Sequence, residues 1–190
     1  LLRWLWGDVA ELTARRAIFT PERPKSKDSS EMVNITGDDA AWIMARMQNG
    51  AIGTIETTKV ATGAEDEVRL ELHGELGAIR FNLMEPNWLD VYDTRLQDGP
   101  FGGQRGFQRI ATGSKLEQSR IMPPPKGTAG WLQFHLESLR SFVENVAAGE
   151  ITGRWKGVAP TFRDGWACHE IMTAAERSDR SGAWEAVAAV

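Results

Sequence analysis

The dipeptide Asn49-Gly50, flanked on both sides by β-compatible residues, constrains this chain more than any other feature. In DDAAWIMARMQNGAIGTIETTK, which runs from Asp38 to Lys59, it marks a hairpin, because Asn-Gly is the strongest short-range hairpin signal. The two-residue type I′ turn it favours needs positive φ at both positions, which Gly adopts freely and Asn tolerates. Alternation puts Ala41, Ile43, Ala45 and Met47 on one face of the first arm, with Ala40, Trp42, Met44 and Arg46 on the other. Neither face is cleanly polar, which predicts a hairpin inside a sheet covered on both sides. The hairpin itself carries no visible chemistry.

The chain opens with LLRWLWG, apolar residues crowded around one Arg and stopped at Gly7. That pattern reads as the end of an amphipathic helix over residues 1–7, and the chain as a fragment. VAELTARRAIF, from Val9 to Phe19, suits a strand in which one of Arg15 and Arg16 must point inward, to be paired or to face a wet cleft. TPERPKSKDSSEMVN, from Thr20 to Asn34, has two prolines and a cluster of charges and serines, and reads as a long surface loop.

Beyond the hairpin, VRLELHG sets Val68, Leu70 and Leu72 against Arg69, Glu71 and His73. The turn Glu75-Leu76-Gly77 leads into AIRFNL and then WLDVY, a meander of short antiparallel strands. GPFGGQRG is glycine-rich but lacks the G-x-G-x-x-G spacing of a phosphate cradle. Pro123-Pro124-Pro125 predicts a stiff extended segment. A helix follows from Trp131, with Leu132, Leu136, Leu139, Val143 and Val146 as its inward stripe and Gly149 as its stop. A second helix starts at Thr161, where Asp164 completes a capping-box pattern, and runs to Gly182 with Ala167, Ile171, Ala174 and Ala175 inward. A short strand, AWEAV, closes the chain. Strands followed by helices define an α+β domain over residues 1–190, its mainly antiparallel mixed sheet covered by helices on one face.

The net charge of −4 argues against a nucleic-acid or anionic-membrane partner, since both reward a basic surface. Cys168 is the sole cysteine, so no intrachain disulfide can form, and a reducing cytoplasm fits best. No apolar run approaches the roughly 20 residues of a membrane span. The His169-Glu170 pair has Thr173 where a zinc-protease helix needs its second His, so no metal site is read there. Cys168 reads as a buried structural thiol. Asp38 and Asp39, at a strand start, read as solvated loop acids. His135 lies one turn after Trp131, and a stacking ring beside a hydrogen-bonding imidazole suits a polyhydroxylated ligand. A boundary His shielding the sheet is the competing reading.

Three stretches, taken together and in order, resemble one family: DDAAWIMARMQNGAIGTIETTK, ELHGELGAIRFNL with WLDVY, and PTFRDGWACHEIMTAAERSDRSGAWEAV. They resemble the C-terminal domain of the Gfo/Idh/MocA oxidoreductases. The resemblance implies a two-domain parent, in which an N-terminal Rossmann domain binds NAD or NADP and supplies a catalytic Lys from an E-K-P motif. The C-terminal domain then helps line a sugar or polyol site, and its open sheet face commonly makes a homo-oligomer. No Rossmann fingerprint, no E-K-P and no D-x-x-x-H pair stands in these 190 residues, so no catalytic residue and no cofactor is assigned to them. Substrate-contacting candidates under the resemblance are Lys59, Trp131 and His135, with Arg16 and Arg23 weaker. Trp42 and Met44 are the candidates for the oligomer face. Two alternatives stand beside the dehydrogenase expectation: a stand-alone self-assembling sheet module, and a family member that uses NAD for non-redox glycoside or elimination chemistry.

Overall fold

The computed structural model describes residues 1–112, 127–147 and 160–190. They fall into two units, one made of Leu1–Gly63 with Pro160–Val190 and the other of Ala64–Ala159. All strand pairings among the described residues are antiparallel, and with three α-helices they make an α+β fold.

In the first unit, helix α1 (Leu2–Trp6) ends at Gly7, whose φ of 91° breaks the helix. Strands β1 (Val9–Ala17), β4 (Ala40–Met47), β5 (Ile52–Thr58) and β10 (Glu185–Ala186) form a sheet in the order β10-β1-β4-β5. Helix α3 (Phe162–Ser181) covers one face of this sheet. Its small inward residues, Ala174 and Ala175, let it lie close against Leu12, Ala14, Ala45 and Met47, which together make the buried core. The cap expected at Thr161 is complete: the Thr161 hydroxyl accepts from the Asp164 N–H, and the Asp164 carboxylate accepts from the Thr161 N–H at 2.8 Å. Gly182 ends the helix in the left-handed conformation, φ 72°. Beyond Leu12, where pairing with β10 stops, α3 satisfies the free edge of β1. Ser178 Oγ accepts from Ala14 N at 2.9 Å, and Asp179 Oδ1 from Arg16 N at 3.0 Å.

The hairpin forms at Asn49-Gly50 with three corrections. It lies at the edge of its sheet, since β5 is a terminal strand. Past Ala40, which is 2% exposed, only one face is covered: Ala41 and Ala45 are 5% and 1% exposed, Trp42 and Met44 are 44% and 45%. The turn is also not type I′. Gly50 has φ 88°, but Asn49 is not among the residues of positive φ. Gly50 N donates to Met47 O and Met47 N to Ala51 O, the pattern of a three-residue loop ending in a glycine bulge. Asn49 instead donates its side-chain amide to Trp6 O at 3.1 Å, which ties the turn to the end of α1.

The segment 20–34, expected as an irregular loop, is an exposed two-stranded arm of β2 (Glu22–Pro24) and β3 (Met32–Asn34). Prolines and charges suit an edge that nothing else pairs with, which is why composition read it as a loop. Cys168, expected to be buried, is exposed on α3. Its neighbour Ala167 takes the inward position, and consecutive helix residues point about 100° apart.

The second unit is a meander of β6 (Arg69–Gly74), β7 (Gly77–Asn82), β8 (Trp88–Asp93) and β9 (Gln108–Ala111), in that order, with helix α2 (Trp131–Ala147). At Gly77 a Cβ would stand 2.1 Å from the Tyr92 carbonyl oxygen, so only glycine fits the close approach of β7 to β8. Asn87 holds the lead-in to α2: its side chain accepts from Ala129 N at 2.6 Å and donates to Ala129 O at 2.9 Å. Helix α2 carries no buried residue, and its predicted stripe of Leu132, Leu136, Leu139, Val143 and Val146 is exposed. Helical spacing specifies a face fit for burial, whereas burial needs an opposing surface. Pro123-Pro124-Pro125 and Gly149 lie outside the described residues. No helix among the described residues is long and apolar enough to cross a membrane.

Candidate functional site

At the start of β4, alternation places Asp39 on the same side as Ala41, Ile43 and Ala45, and its side chain is fully buried. A buried carboxylate requires donors, and Asp39 has four. Phe19 N and Thr20 N, just past β1, donate to Oδ2 at 2.8 and 3.0 Å. Arg23 Nη2, on the arm, donates to Oδ1 at 3.2 Å, and Lys59 Nζ, just past β5, lies 3.3 Å from the same oxygen. The Thr20 N–H foremost, with the Phe19 N–H and Lys59, holds the Asp39 carboxyl below its ordinary range against the opposing effect of burial. Asp39 was expected to be a solvated loop acid; the structure makes it the centre of a cluster. The signal was present in the alternation that puts Asp39 in line with the inward residues of β4.

Two of the sequence-derived candidates, Arg23 and Lys59, therefore meet on one carboxylate oxygen, and both keep about half of their side-chain surface in solvent. Arg16 is placed differently. It is half-buried and shared among Asp179 and Glu176 of α3, each at 3.4 Å, and Asp38 at 3.6 Å. Three carboxylates around one guanidinium make Arg16 a brace between sheet and helix.

In the second unit, Trp131 and His135 stand one turn apart on α2, ring centroids 6.3 Å apart and planes tilted by 40°. Both are exposed. Gln133 accepts from Gly130 N at 3.0 Å and fixes the start of their helix. A separate hollow of about 270 Å³ lies among Arg80, Phe81, Trp88 and Arg109. Its charges are neutralised in place: Arg80 pairs with Glu71 at 2.7 Å and Arg109 with Asp90 at 3.0 Å, which holds both carboxyls below their ordinary values.

A dinucleotide needs a strand, a glycine-rich turn and a helix N-terminus in succession. The GPFGGQRG segment runs instead through a 3-10 turn at Pro100–Gly102 towards β9. Among the described residues this segment therefore does not fit such a group.

Residues 1–80 match the model of the GFO/IDH/MocA C-terminal domain. The levoglucosan dehydrogenase of Pseudarthrobacter phenanthrenivorans is 26% identical over 97% of this chain and 48% of its own length. Levoglucosan dehydrogenase solved with NADH and L-sorbose superposes with a TM-score of 0.86, at 27% identity, over all of this chain and 47% of that one. An oxidoreductase domain protein from Kribbella flavida gives 0.79 at 28% identity, over 95% of this chain and 45% of its own. This chain is similar over residues 1–80 to the C-terminal domain of the Gfo/Idh/MocA oxidoreductases, and over its whole length to levoglucosan dehydrogenase. It spans about half the length of the relatives it matches.

Proposed function

We propose that this chain is the substrate-binding and oligomerisation half of an NAD- or NADP-dependent sugar or polyol oxidoreductase, acting in the cytoplasm together with a nucleotide-binding domain. The observation that carries the reading is the match of the whole chain, in order and in fold, to about half of levoglucosan dehydrogenase, which has been solved with NADH and with levoglucosan. On this reading Lys59 and Arg23 present donors to a polyhydroxylated ligand, and Trp131 and His135 offer a stacking face with a hydrogen-bonding edge. Arg16 contributes through the sheet end that it braces. Hydride transfer is the work of the nucleotide and its own domain.

The uncovered face of β1, β4 and β5, where Trp42, Met44 and Ile52 lie open, supports self-association. The test is NAD(P)-dependent oxidation of sugars and polyols by the intact parent, with product analysis. Reduced nucleotide should appear in step with an oxidised sugar. Turnover of a glycoside with no net nucleotide reduction would overturn the redox reading.

A further inference from the structure

We propose that Arg23 and Lys59 form a binding site for an anionic group of a small ligand, a carboxylate or a phosphate, and that the buried Asp39 is the residue that positions them. The inference rests on the substrate-binding reading only where it calls the ligand a substrate. The chemistry begins with charge. Two cations share one carboxylate oxygen, Arg23 at 3.2 Å and Lys59 at 3.3 Å. The cluster therefore carries an excess of one positive charge. The other carboxylate oxygen is already taken by the amides of Phe19 and Thr20.

Geometry supplies the rest. The cationic atoms come from different elements, the arm and the end of β5, yet they stand no farther apart than their two distances to Oδ1 combined. Each spends one donor on Asp39 and keeps others facing solvent: four more N–H groups on the guanidinium and two on the ammonium. A guanidinium beside an ammonium at this spacing suits the two or three oxygens of a carboxylate or phosphate. Asp39 is buried, so it sets the position of both cations without occupying their outward side. Lys59 is additionally fixed by its main chain, whose N–H donates to Asp39 O at 3.0 Å. By contrast, the other arginines near this end of the sheet are engaged: Arg16 by three carboxylates, and Arg15 by the carbonyl of Ala14 at 2.7 Å.

The test is a nuclear magnetic resonance titration of the 190-residue chain, at constant ionic strength, with D-gluconate, inorganic phosphate and neutral D-glucitol. Gluconate or phosphate should move the Phe19, Thr20 and Lys59 amides and the Arg23 Nε–H saturably, and more tightly than neutral glucitol does. The tighter of the two anions identifies the group as carboxylate or phosphate. Arg23→Gln and Lys59→Gln, both at exposed side chains, should each weaken binding by about tenfold. Asp39→Asn distinguishes positioning from simple charge. It makes the cluster more positive, yet binding should weaken because both cations lose their anchor. Asp39→Glu, which keeps the charge but displaces the carboxylate, should weaken it too, and serves if the Asn variant does not fold. No saturable shift with either anion, shifts unchanged in both cation variants, equal binding of glucitol, or tighter binding in Asp39→Asn would each overturn the proposal. Loss of the anion site would leave the oxidoreductase reading standing, since that reading is tested on the intact parent.

Discussion

Lys59 and Asp39 are joined twice: the Lys59 N–H donates to the Asp39 carbonyl oxygen at 3.0 Å, and the Lys59 ammonium lies 3.3 Å from the Asp39 carboxylate. The carboxylate also receives the Phe19 and Thr20 amides and the Arg23 guanidinium, so one buried side chain fastens the end of β1, the arm and the end of β5. Asp39→Ala should lower the melting temperature clearly and speed tryptic cleavage at Lys25 and Lys27 of the arm, on the order of tenfold. Lys59→Ala should change neither much, because Asp39 keeps three donors. Timed digestion read by mass spectrometry checks both; equal arm cleavage in the Asp39 variant and the parent chain would contradict this account.

Ser178 is fully buried and accepts from Ala14 N while donating to Ala183 O at 2.6 Å. Ser178→Ala removes the acceptor and leaves a strand-edge amide without its partner. The expected cost is about 1–3 kcal/mol in denaturant unfolding.

Leu12 is 0% exposed at the centre of the core beneath α3. Leu12→Ala should cost about 2–5 kcal/mol, the range for emptying a packed leucine site. Gly77→Ala acts in the second unit by forcing a methyl towards the Tyr92 carbonyl, and should cost about 1–3 kcal/mol. Urea unfolding curves measure both.

Acid should unfold the chain late. Arg95, through its side chain first and then its N–H, lowers the Asp93 carboxyl from 3.8 to about 2. A carboxyl whose folded value is depressed contributes stability that is complete above its unfolded value and lost as pH falls towards the folded one. Asp39, Asp90, Asp164 and Glu71 are depressed as well. Melting temperature should therefore hold from neutrality down to about pH 4.5 and fall below about pH 4. A fall beginning near neutrality would contradict the assignment.

Trp42 and Met44 lie on the face opposite the buried Ala41 and Ala45. On the proposed oligomerisation through this face, native mass measurements should find the chain self-associated and the Trp42→Lys, Met44→Glu double variant monomeric, with no lower melting temperature of the single chain. Unchanged assembly mass would remove this face from the interface.

Much of this architecture was legible in the sequence wherever a local rule acts alone. Thr161 with Asp164 and Gly182 marked both ends of α3, and Asn49-Gly50 marked a hairpin. What escaped depended on partners distant in sequence. The turn adopted a glycine bulge while its Asn bonds to Trp6, across 43 residues. The arm hid behind Pro21, Pro24 and its charges. Asp39 looked solvated because its donors come from residues 19, 20, 23 and 59, a convergence that only the folded sheet creates. The family resemblance brought forward Arg23 and Lys59 as candidates, but not Asp39, on which the two side chains meet.

The central claim, that this chain works as half of a nucleotide-dependent sugar oxidoreductase, is tested most directly by determining the coding sequence that precedes Leu1. The account predicts a strand–turn–helix with G-x-G-x-x-G, an E-K-P triplet after it, and a D-x-x-x-H pair shortly before Leu1. A complete open reading frame that encodes none of these would contradict it.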